Sequence, residues 1–282
     1  MELFEKIQDL RQALAPERSR GRRIALVPTM GALHQGHLSL ISAALKQYDV
    51  CVASVFVNPT QFNDPKDLES YPRTPQEDFA KLQAAGCHMV FAPSVQEMYP
   101  EPDERVFDFG AAGRVMEGAF RPGHFNGVAQ VVSKLFRIVE PHGAFFGEKD
   151  FQQIAIIRLM VQQLGLPVQI HPCPIVREES GLALSSRNKR LSDHELQVAP
   201  RIYATLRESV AFAATHTPGE TERFVVDTLS AIDPLRPEYY QIVDAQTLHP
   251  LSAWTDTADA VGCIACYCGA VRLIDNIHYP KR

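Results

Sequence analysis

Two histidines stand three residues apart in the segment PTMGALHQGHLSL, which covers residues 28–40. The segment follows an apolar run typical of a β-strand and opens a helical pattern, so His34 and His37 share one face of a first helical turn. That turn has unpaired backbone N–H groups and the positive end of the helix dipole, which attract phosphate. Gly31 and Gly36 remove side chains where a nucleotide would approach the backbone. The segment predicts a phosphate site suited to ATP, although a histidine pair alone is more often a surface or core feature.

Two amide side chains follow the second predicted strand, in the segment FVNPTQFN. Asn58 and Gln61 offer neutral hydrogen-bonding groups there. Amides bind hydroxyl and carboxylate groups without placing a permanent charge in the site, which suits a small hydroxy acid. The alternative interpretation is an ordinary polar turn after a strand.

A second group of charged and amide residues lies in GEKDFQQ, residues 147–153, again between a predicted strand and a predicted helix. Lys149 can reach a phosphate as a point charge, and Asp150 can bind a ribose or cap the helix. Gln153 is expected on the same inward face. The alternative is a helix that begins with solvated charges.

The segment LALSSRN lies in a polar stretch that follows the last strand of the predicted sheet. Ser185 and Ser186 provide short donors, and Arg187 provides a bidentate fork. A flexible loop with these groups could close over the β- and γ-phosphates of a nucleotide, although the sequence SSRN alone is unremarkable.

Three further features carry two interpretations each. His124, in RPGHFNGV, either contacts substrate or shapes its loop. Asp78 either helps to hold Mg²⁺ or lies on a solvated helix face, and Mg²⁺ takes much of its coordination from substrate phosphates. Cys263, Cys266 and Cys268 could share a metal, but they lie in a strand-like run without a second ligand pair nearby, so buried strand positions are favoured.

The elements that must position these residues alternate between short apolar runs and longer helical patterns. Continuous apolar strands joined by helices predict a parallel sheet covered on both faces, with ligands bound at the carboxyl ends of its strands. The predicted strands are 23–28, 49–57, 88–93, 143–147 and 168–176, and the predicted helices are 38–47, 75–86, 126–139 and 150–165. Pro141, Gly86 and Gly165 are the expected helix stops.

The chain is predicted to have two domains. Residues 1–176 form the Rossmann-like sheet domain, 177–190 a hinge with a phosphate-binding loop, and 191–282 a smaller C-terminal α+β lid domain. The second domain opens with a helical pattern from Asp193 to Ala213 and ends with the strand-like runs EYYQIVDAQ and GCIACYCGAVRLID. The predicted site is a cleft between the sheet's strand ends and this second domain.

Composition excludes several classes of protein. With 45% hydrophobic and 22% charged residues the chain is typical of a globular protein, and its net charge of −5 argues against a main role in binding nucleic acid. Six unevenly placed cysteines do not make a disulfide framework, so reduced thiols are expected. At the N-terminus Leu3, Ile7, Leu10 and Leu14 are spaced like one helix face, which differs from a signal peptide, and no apolar run is long enough to span a membrane.

The segment PTMGALHQGHLSL resembles the H-x-G-H signature of the nucleotidyltransferase superfamily, whose histidines stabilise negative charge as an α-phosphate is attacked and pyrophosphate departs. As a whole it resembles the pantothenate synthetase (pantoate–β-alanine ligase) family more specifically. FVNPTQFN, RPGHFNGV, GEKDFQQ, LALSSRN and VRLIDNI match the same family in the expected order, so the resemblance covers nearly the full chain. Leu184 stands where many relatives have Met, a change that keeps the apolar volume.

The resemblance implies an α/β fold, with a Rossmann-like parallel sheet domain and a second, smaller α+β domain. It also implies that ATP, with Mg²⁺, adenylates the carboxylate of pantoate, and that the amine of β-alanine then attacks the activated carbonyl. Pantothenate, AMP and pyrophosphate are the products, and no covalent enzyme intermediate is needed. A cytoplasmic homodimer without nucleic-acid or membrane partners is expected.

The resemblance further implies roles for individual residues. His37, His34 and Lys149 are expected to be catalytic, with His37 as phosphate ligand and proton donor. Pantoate is expected at Asn58, Gln61 and Gln153, and β-alanine at Gln61. The implied ATP-binding positions are Met30, Gly31, His34, Gly36, His37, Gly147, Lys149, Asp150, Val176, Leu184, Ser185, Ser186 and Arg187.

Two other functions remain open from the residues alone. One is another nucleotidyltransferase of the same architecture, such as a cofactor adenylyltransferase or a relative of the aminoacyl-tRNA synthetases, although the acidic charge disfavours tRNA. The other is a regulatory module that senses a nucleotide or binds a metal without turnover. Pantoate-dependent exchange of pyrophosphate into ATP separates the three.

Overall fold

The computed structural model of the protein describes residues 1–280, which divide into two compact units. The first unit consists of Met1–Phe109, Arg121–Glu148 and Ile156–Pro174. The second consists of Gly110–Phe120, Lys149–Ala155 and the chain from Ile175 onward. In the described part of the chain, the helices are too short or too polar to cross a membrane.

A six-stranded sheet forms the centre of the first unit. Its strands, in chain order, are β1 (Glu2–Phe4), β2 (Ile24–Thr29), β3 (Val50–Val55), β4 (Met89–Phe91), β5 (Gly143–Gly147) and β6 (Gln169–Cys173). They are arranged in the order β1-β4-β3-β2-β5-β6, and every neighbouring pair is parallel, which confirms the predicted parallel sheet. The central strand β2 is covered on both faces, since Ile24, Ala25, Leu26 and Val27 have no exposed surface.

The first strand was missing from the sequence prediction. Leu3 lies in β1, which pairs with β4, so its assignment to a helix was wrong. The helix itself begins at Ile7, and Leu10 and Leu14 are fully buried, as their spacing predicted. Backbone pairing at a sheet edge decided the conformation of a segment too short to show its own periodicity.

The helices lie between the strands. In chain order they are α1 (Ile7–Ser19), α2 (Gln35–Leu45), α3 (Pro65–Ser70), α4 (Pro75–Ala84), α5 (Val95–Met98), α6 (Glu117–Phe120), α7 (His124–Val139), α8 (Phe151–Leu164), α9 (Asp193–Val198), α10 (Arg201–Ala213) and α11 (Pro218–Ser230). The predicted stops are confirmed: α7 ends just before Pro141, and Gly86 and Gly165 have positive φ angles of 79° and 58° shortly after α4 and α8.

The second unit contains a three-stranded antiparallel sheet with helices, which confirms the predicted α+β architecture. Its strands β7 (Leu235–Asp244), β8 (Ala260–Cys268) and β9 (Val271–Tyr279) are arranged in that order. Two details differ from the prediction. The helical pattern after Asp193 is broken into α9 and α10 next to Pro200, which has no N–H to continue the helix. The last strand-like run is a hairpin that turns at Gly269, whose φ is +57°.

The three clustered cysteines lie buried in β8, as the strand pattern predicted. Cys266 and Cys268 pack into one hydrophobic cluster, whereas Cys263 packs into another on the opposite face of the strand. Burial raises the pKa of the Cys266 thiol to about 12 and that of Cys268 to about 11. Side chains on opposite faces cannot share one ion, and within residues 1–280 no group of three or more His, Cys, Asp or Glu side chains could hold a metal.

Candidate active site

The loop between β2 and α2 has an unusual backbone. Gly31 has a φ of +80° and Ala32 a φ of +50°, both in the left-handed region. A Cβ atom on Gly31 would lie 3.1 Å from a carboxylate oxygen of Asp78, so this position needs glycine for both its conformation and its space. The Thr29 hydroxyl donates to the Ser54 carbonyl at 2.7 Å and joins the start of the loop to β3.

The side chain of Asp78, in α4, holds this loop in place. The carboxylate accepts the backbone N–H groups of Ala32 at 2.8 Å and Leu33 at 2.7 Å, and Asp78 is only 1% exposed. From the next turn of α4, Lys81 donates to the Leu33 carbonyl at 2.9 Å. The predicted solvated helix face was therefore wrong for Asp78. Because both of its oxygens bind the protein backbone, Asp78 is a support of the loop, and its contacts 45 and 46 residues away left no local signal.

The histidine pair caps the start of α2. The N–H of Gly36 donates to His34 Nδ1 at 3.2 Å, and the N–H of His34 donates to His37 Nδ1 at 3.2 Å. The ring centroids are 4.0 Å apart. Because each Nδ1 accepts a hydrogen bond, each neutral ring carries its proton on Nε2, which is a donor. The pair thus has two ring donors at the positive end of a helix, an arrangement suited to phosphate oxygens.

The predicted amide residues lie together after β3. Asn58 is 1% exposed, and its amide nitrogen donates to Gln61 Oε1 and to the Gly127 carbonyl, both at 3.2 Å. The Tyr99 hydroxyl donates to Asn58 Oδ1 at 2.9 Å. Gln61 Nε2 lies 3.0 Å from the sulfur of Met30. Both polar atoms of the Asn58 amide therefore bind other protein groups, and one of these bonds orients Gln61. Gln61 lies beside the loop that carries the histidines.

His124 supports the segment that contains Gln61. Its Nδ1 lies 2.8 Å from the Gln61 carbonyl oxygen, and Arg121 Nη1 lies 3.2 Å from its Nε2. Arginine can only donate, so Nε2 accepts and Nδ1–H donates to the carbonyl. His124 is 7% exposed. These contacts favour the interpretation that His124 shapes its loop.

A second group of predicted residues lies in the second unit. The N–H of Leu184 donates to the Val176 carbonyl at 3.0 Å, and Lys149 Nζ lies 3.4 Å from the Leu184 carbonyl oxygen. Ser185 Oγ accepts the N–H of Arg187 at 3.3 Å and thereby caps a short 3₁₀ helix. Ser186, in the first turn of that helix, is buried. The structure thus brings the predicted lysine together with the predicted loop.

The remaining predicted residues surround the start of α8. Gly147 ends β5, with open space where a Cβ atom would stand. Asp150 and Gln153 are half-buried before and within the first turn. Gln152, which is not among the predicted site residues, is 4% exposed and binds three backbone groups of the segment 110–120. Its role is structural.

The sheet order and the loops at the ends of β2 and β3 define the first unit as a Rossmann-like α/β fold, as predicted. The sequence model of the family described as Pantoate-beta-alanine ligase matches residues 2–278. The chain belongs to this family.

Relatives and solved structures agree with this membership. The chain is 60% identical over 279 residues to the pantothenate synthetase of Porphyromonas gingivalis strain W83, with 99% of each chain covered. It is 56% identical to that of Bacteroides fragilis strain YCH46 over the full length of both. The crystal structure of pantothenate synthetase from Thermus thermophilus matches with a TM-score of 0.93 at 45% identity, covering 99% of this chain and 100% of that one.

A further solved structure is the pantoate-beta-alanine ligase of Francisella tularensis, complexed with beta-gamma ATP and beta-alanine. It matches with a TM-score of 0.80 at 34% identity, covering 98% of this chain and 97% of that one. The predicted family, fold class and enzyme class are confirmed.

Proposed function

We propose that this chain condenses pantoate with β-alanine at the expense of ATP, through a pantoyl adenylate, and so forms pantothenate, AMP and pyrophosphate. Membership of the Pantoate-beta-alanine ligase family supports the overall reaction. The observation that carries the chemistry is the histidine pair at the start of α2, with both Nδ1 atoms bound to backbone N–H groups. An adenylate intermediate requires stabilised charge on the phosphates of ATP, and these rings meet that need.

In the first step a pantoate carboxylate oxygen attacks the α-phosphorus of ATP, and the bond to the bridging oxygen of pyrophosphate breaks. His34 and His37 donate hydrogen bonds from Nε2 to the phosphates, and pyrophosphate leaves as an anion with the electron pair of the broken P–O bond. Lys149, with Ser185, Ser186 and Arg187, offsets the charge of the β- and γ-phosphates. Gly147 leaves space for the nucleotide beside the backbone, since no atom lies within 4 Å of where its Cβ atom would stand.

Neutral amides are proposed to bind pantoate. Gln61, oriented by Asn58, and Gln153 donate to its hydroxyl and carboxylate groups, and Gln61 also contacts β-alanine. In the second step the β-alanine amine attacks the pantoyl carbonyl carbon. The C–N bond forms, AMP leaves with the electron pair of the C–O bond, and the amine loses a proton. Positioning and electrostatics supply the catalysis without a covalent enzyme intermediate.

Mg²⁺ is proposed to enter as part of the ATP substrate. Within residues 1–280 the acidic, histidine and cysteine side chains do not form a three-ligand cluster, and the oxygens of Asp78 bind backbone N–H groups. A cation held mainly by phosphate oxygens and water suits such a site.

The family resemblance further suggests a cytoplasmic homodimer, with residues 191–282 acting as a lid and 177–190 as its hinge.

Exchange of labelled pyrophosphate into ATP tests the proposal. The purified protein is expected to catalyse exchange when pantoate and Mg²⁺ are present and to form pantothenate when β-alanine is added. Exchange that requires a different acid would indicate another nucleotidyltransferase, and nucleotide binding without exchange would indicate a regulatory module. Either result would exclude the proposed reaction.

A further inference from the structure

Arg177 and Asp275 form an ion pair within the second unit, although they are 98 residues apart in the chain. The two terminal nitrogens of the guanidinium donate to the two carboxylate oxygens at 2.6 and 2.8 Å. The side chains are only 16% and 5% exposed, and the guanidinium carbon lies 3.5 Å from the ring centroid of Tyr203. A bidentate contact combined with stacking on a ring restricts the guanidinium to one orientation.

The same guanidinium holds the turn that precedes the predicted phosphate loop. Arg177 Nη1 also donates to the Gly181 carbonyl at 3.2 Å, and Arg177 pairs with Ala183 across an antiparallel bridge. Beyond that bridge the N–H of Leu184 donates to the Val176 carbonyl. The backbone on both sides of the turn is therefore tied to Arg177, and the position of Leu184 depends on it.

The partner carboxylate links this turn to Lys149. Asp275 lies in β9, and its neighbour Asn276 donates from Nδ2 to the Lys149 carbonyl at 3.3 Å. Lys149 Nζ in turn lies 3.4 Å from the Leu184 carbonyl oxygen. The strand β9 also packs against the 3₁₀ helix that contains Arg187. One strand thus supports both the lysine and the loop.

We propose that the Arg177–Asp275 pair is a positioning device that keeps the loop Leu184–Arg187 in register with Lys149, so that both reach the ATP phosphates as one preformed group. The inference rests on the proposed function of these residues. Asp275 neutralises the guanidinium, so Arg177 acts through the loop backbone. A buried ion pair is a weak source of stability compared with apolar packing, which favours a positional role for this one.

Kinetics of pyrophosphate exchange, with KM measured separately for ATP and pantoate, test the proposal. Asp275→Asn leaves the guanidinium without its counter-charge, and the KM for ATP is expected to rise about tenfold or more while the KM for pantoate stays within about twofold. Arg177→Lys keeps the charge and loses the fork and the stacking, so a smaller rise of about threefold is expected. If Asp275→Asn does not fold, Arg177→Lys decides the question.

Limited trypsin digestion provides a readout that does not depend on activity. Lys189 and Arg190 are exposed in the 3₁₀ helix, and cleavage after them is expected to be faster in both variants because the loop opens more often. Arg272→Lys is the matched control, since Arg272 lies on the same strand and binds the Glu117 carboxylate at 2.7 and 3.0 Å. It is expected to leave the KM for ATP and the cleavage rate unchanged.

The outcomes separate the two proposals. A wild-type protein without pantoate-dependent exchange would refute the proposed function, while the digestion still tests the positioning role. An active wild type whose folded variants keep both the wild-type KM for ATP and the wild-type cleavage rate would refute the positioning role. Equal changes in Arg272→Lys and Arg177→Lys would refute it as well, because any buried ion pair of the unit would then have the same effect.

Discussion

Replacing Asp78 by asparagine tests whether this carboxylate supports the loop that carries the histidines. The carboxylate accepts two buried backbone N–H groups, those of Ala32 and Leu33. Asparagine keeps one acceptor oxygen, but its NH₂ group then faces the other N–H. The loss of one charge-assisted hydrogen bond, which leaves a buried N–H donor without an acceptor, is expected to lower the free energy of unfolding by about 2–3 kcal/mol. Gly31 and Ala32 adopt left-handed conformations, so the loop that contains them is the part of the structure expected to be destabilised.

Urea unfolding and pyrophosphate exchange together measure this effect. Misplacement of the histidines is expected to reduce kcat/KM for ATP by about ten- to a hundredfold. Glu77→Gln is the matched control, because Glu77 is a neighbouring carboxylate of α4 whose side chain is 63% exposed and 3.7 Å from Lys81. Its unfolding free energy is expected to change by less than about 0.5 kcal/mol. Wild-type stability and activity in Asp78→Asn would refute the reasoning, and so would activity restored by excess Mg²⁺, which would identify Asp78 as a metal ligand.

Three more substitutions test other parts of the molecule. His37→Ala is expected to lower pantoate-dependent exchange by about a hundredfold or more with an unchanged circular dichroism spectrum; near-full activity would exclude its catalytic role. In Gly127→Ala the new Cβ atom would lie 2.2 Å from the Thr60 carbonyl oxygen, so a loss of about 2–3 kcal/mol is expected in urea unfolding. Gly219→Ala, which meets no atom within 4 Å, is its control and should not destabilise. Burial raises the pKa of Glu222, so its folded form binds a proton more tightly than the unfolded form. Its contribution to stability is complete below the ordinary carboxyl pKa and is lost as pH rises through the folded pKa. Glu222→Gln should therefore gain stability relative to wild type as pH rises from below the ordinary carboxyl pKa through the raised folded pKa, and a constant difference would contradict the assignment.

Much of the first unit could be predicted because its elements have clear local patterns. The apolar run of β2 and the glycines that end α4 and α8 depend on neighbours within a few residues, which the sequence displays directly. The break at Pro200 was missed, although the proline was visible, because the apolar period continues across it. The edge strand β1 was missed because three residues are too few for a period.

By itself, the sequence determined the class of fold, the family and the residue types at the strand ends, because motifs and periodicity are properties of neighbouring residues. The tertiary structure alone decided which partners those residues meet. Asp78 supports a loop 46 residues away, His124 a carbonyl 63 residues away, and Asp275 an arginine 98 residues away. Such contacts follow from strand order and from the packing of helices onto the sheet. A hydrophobic pattern records that a face is buried, but it does not record which segment covers it.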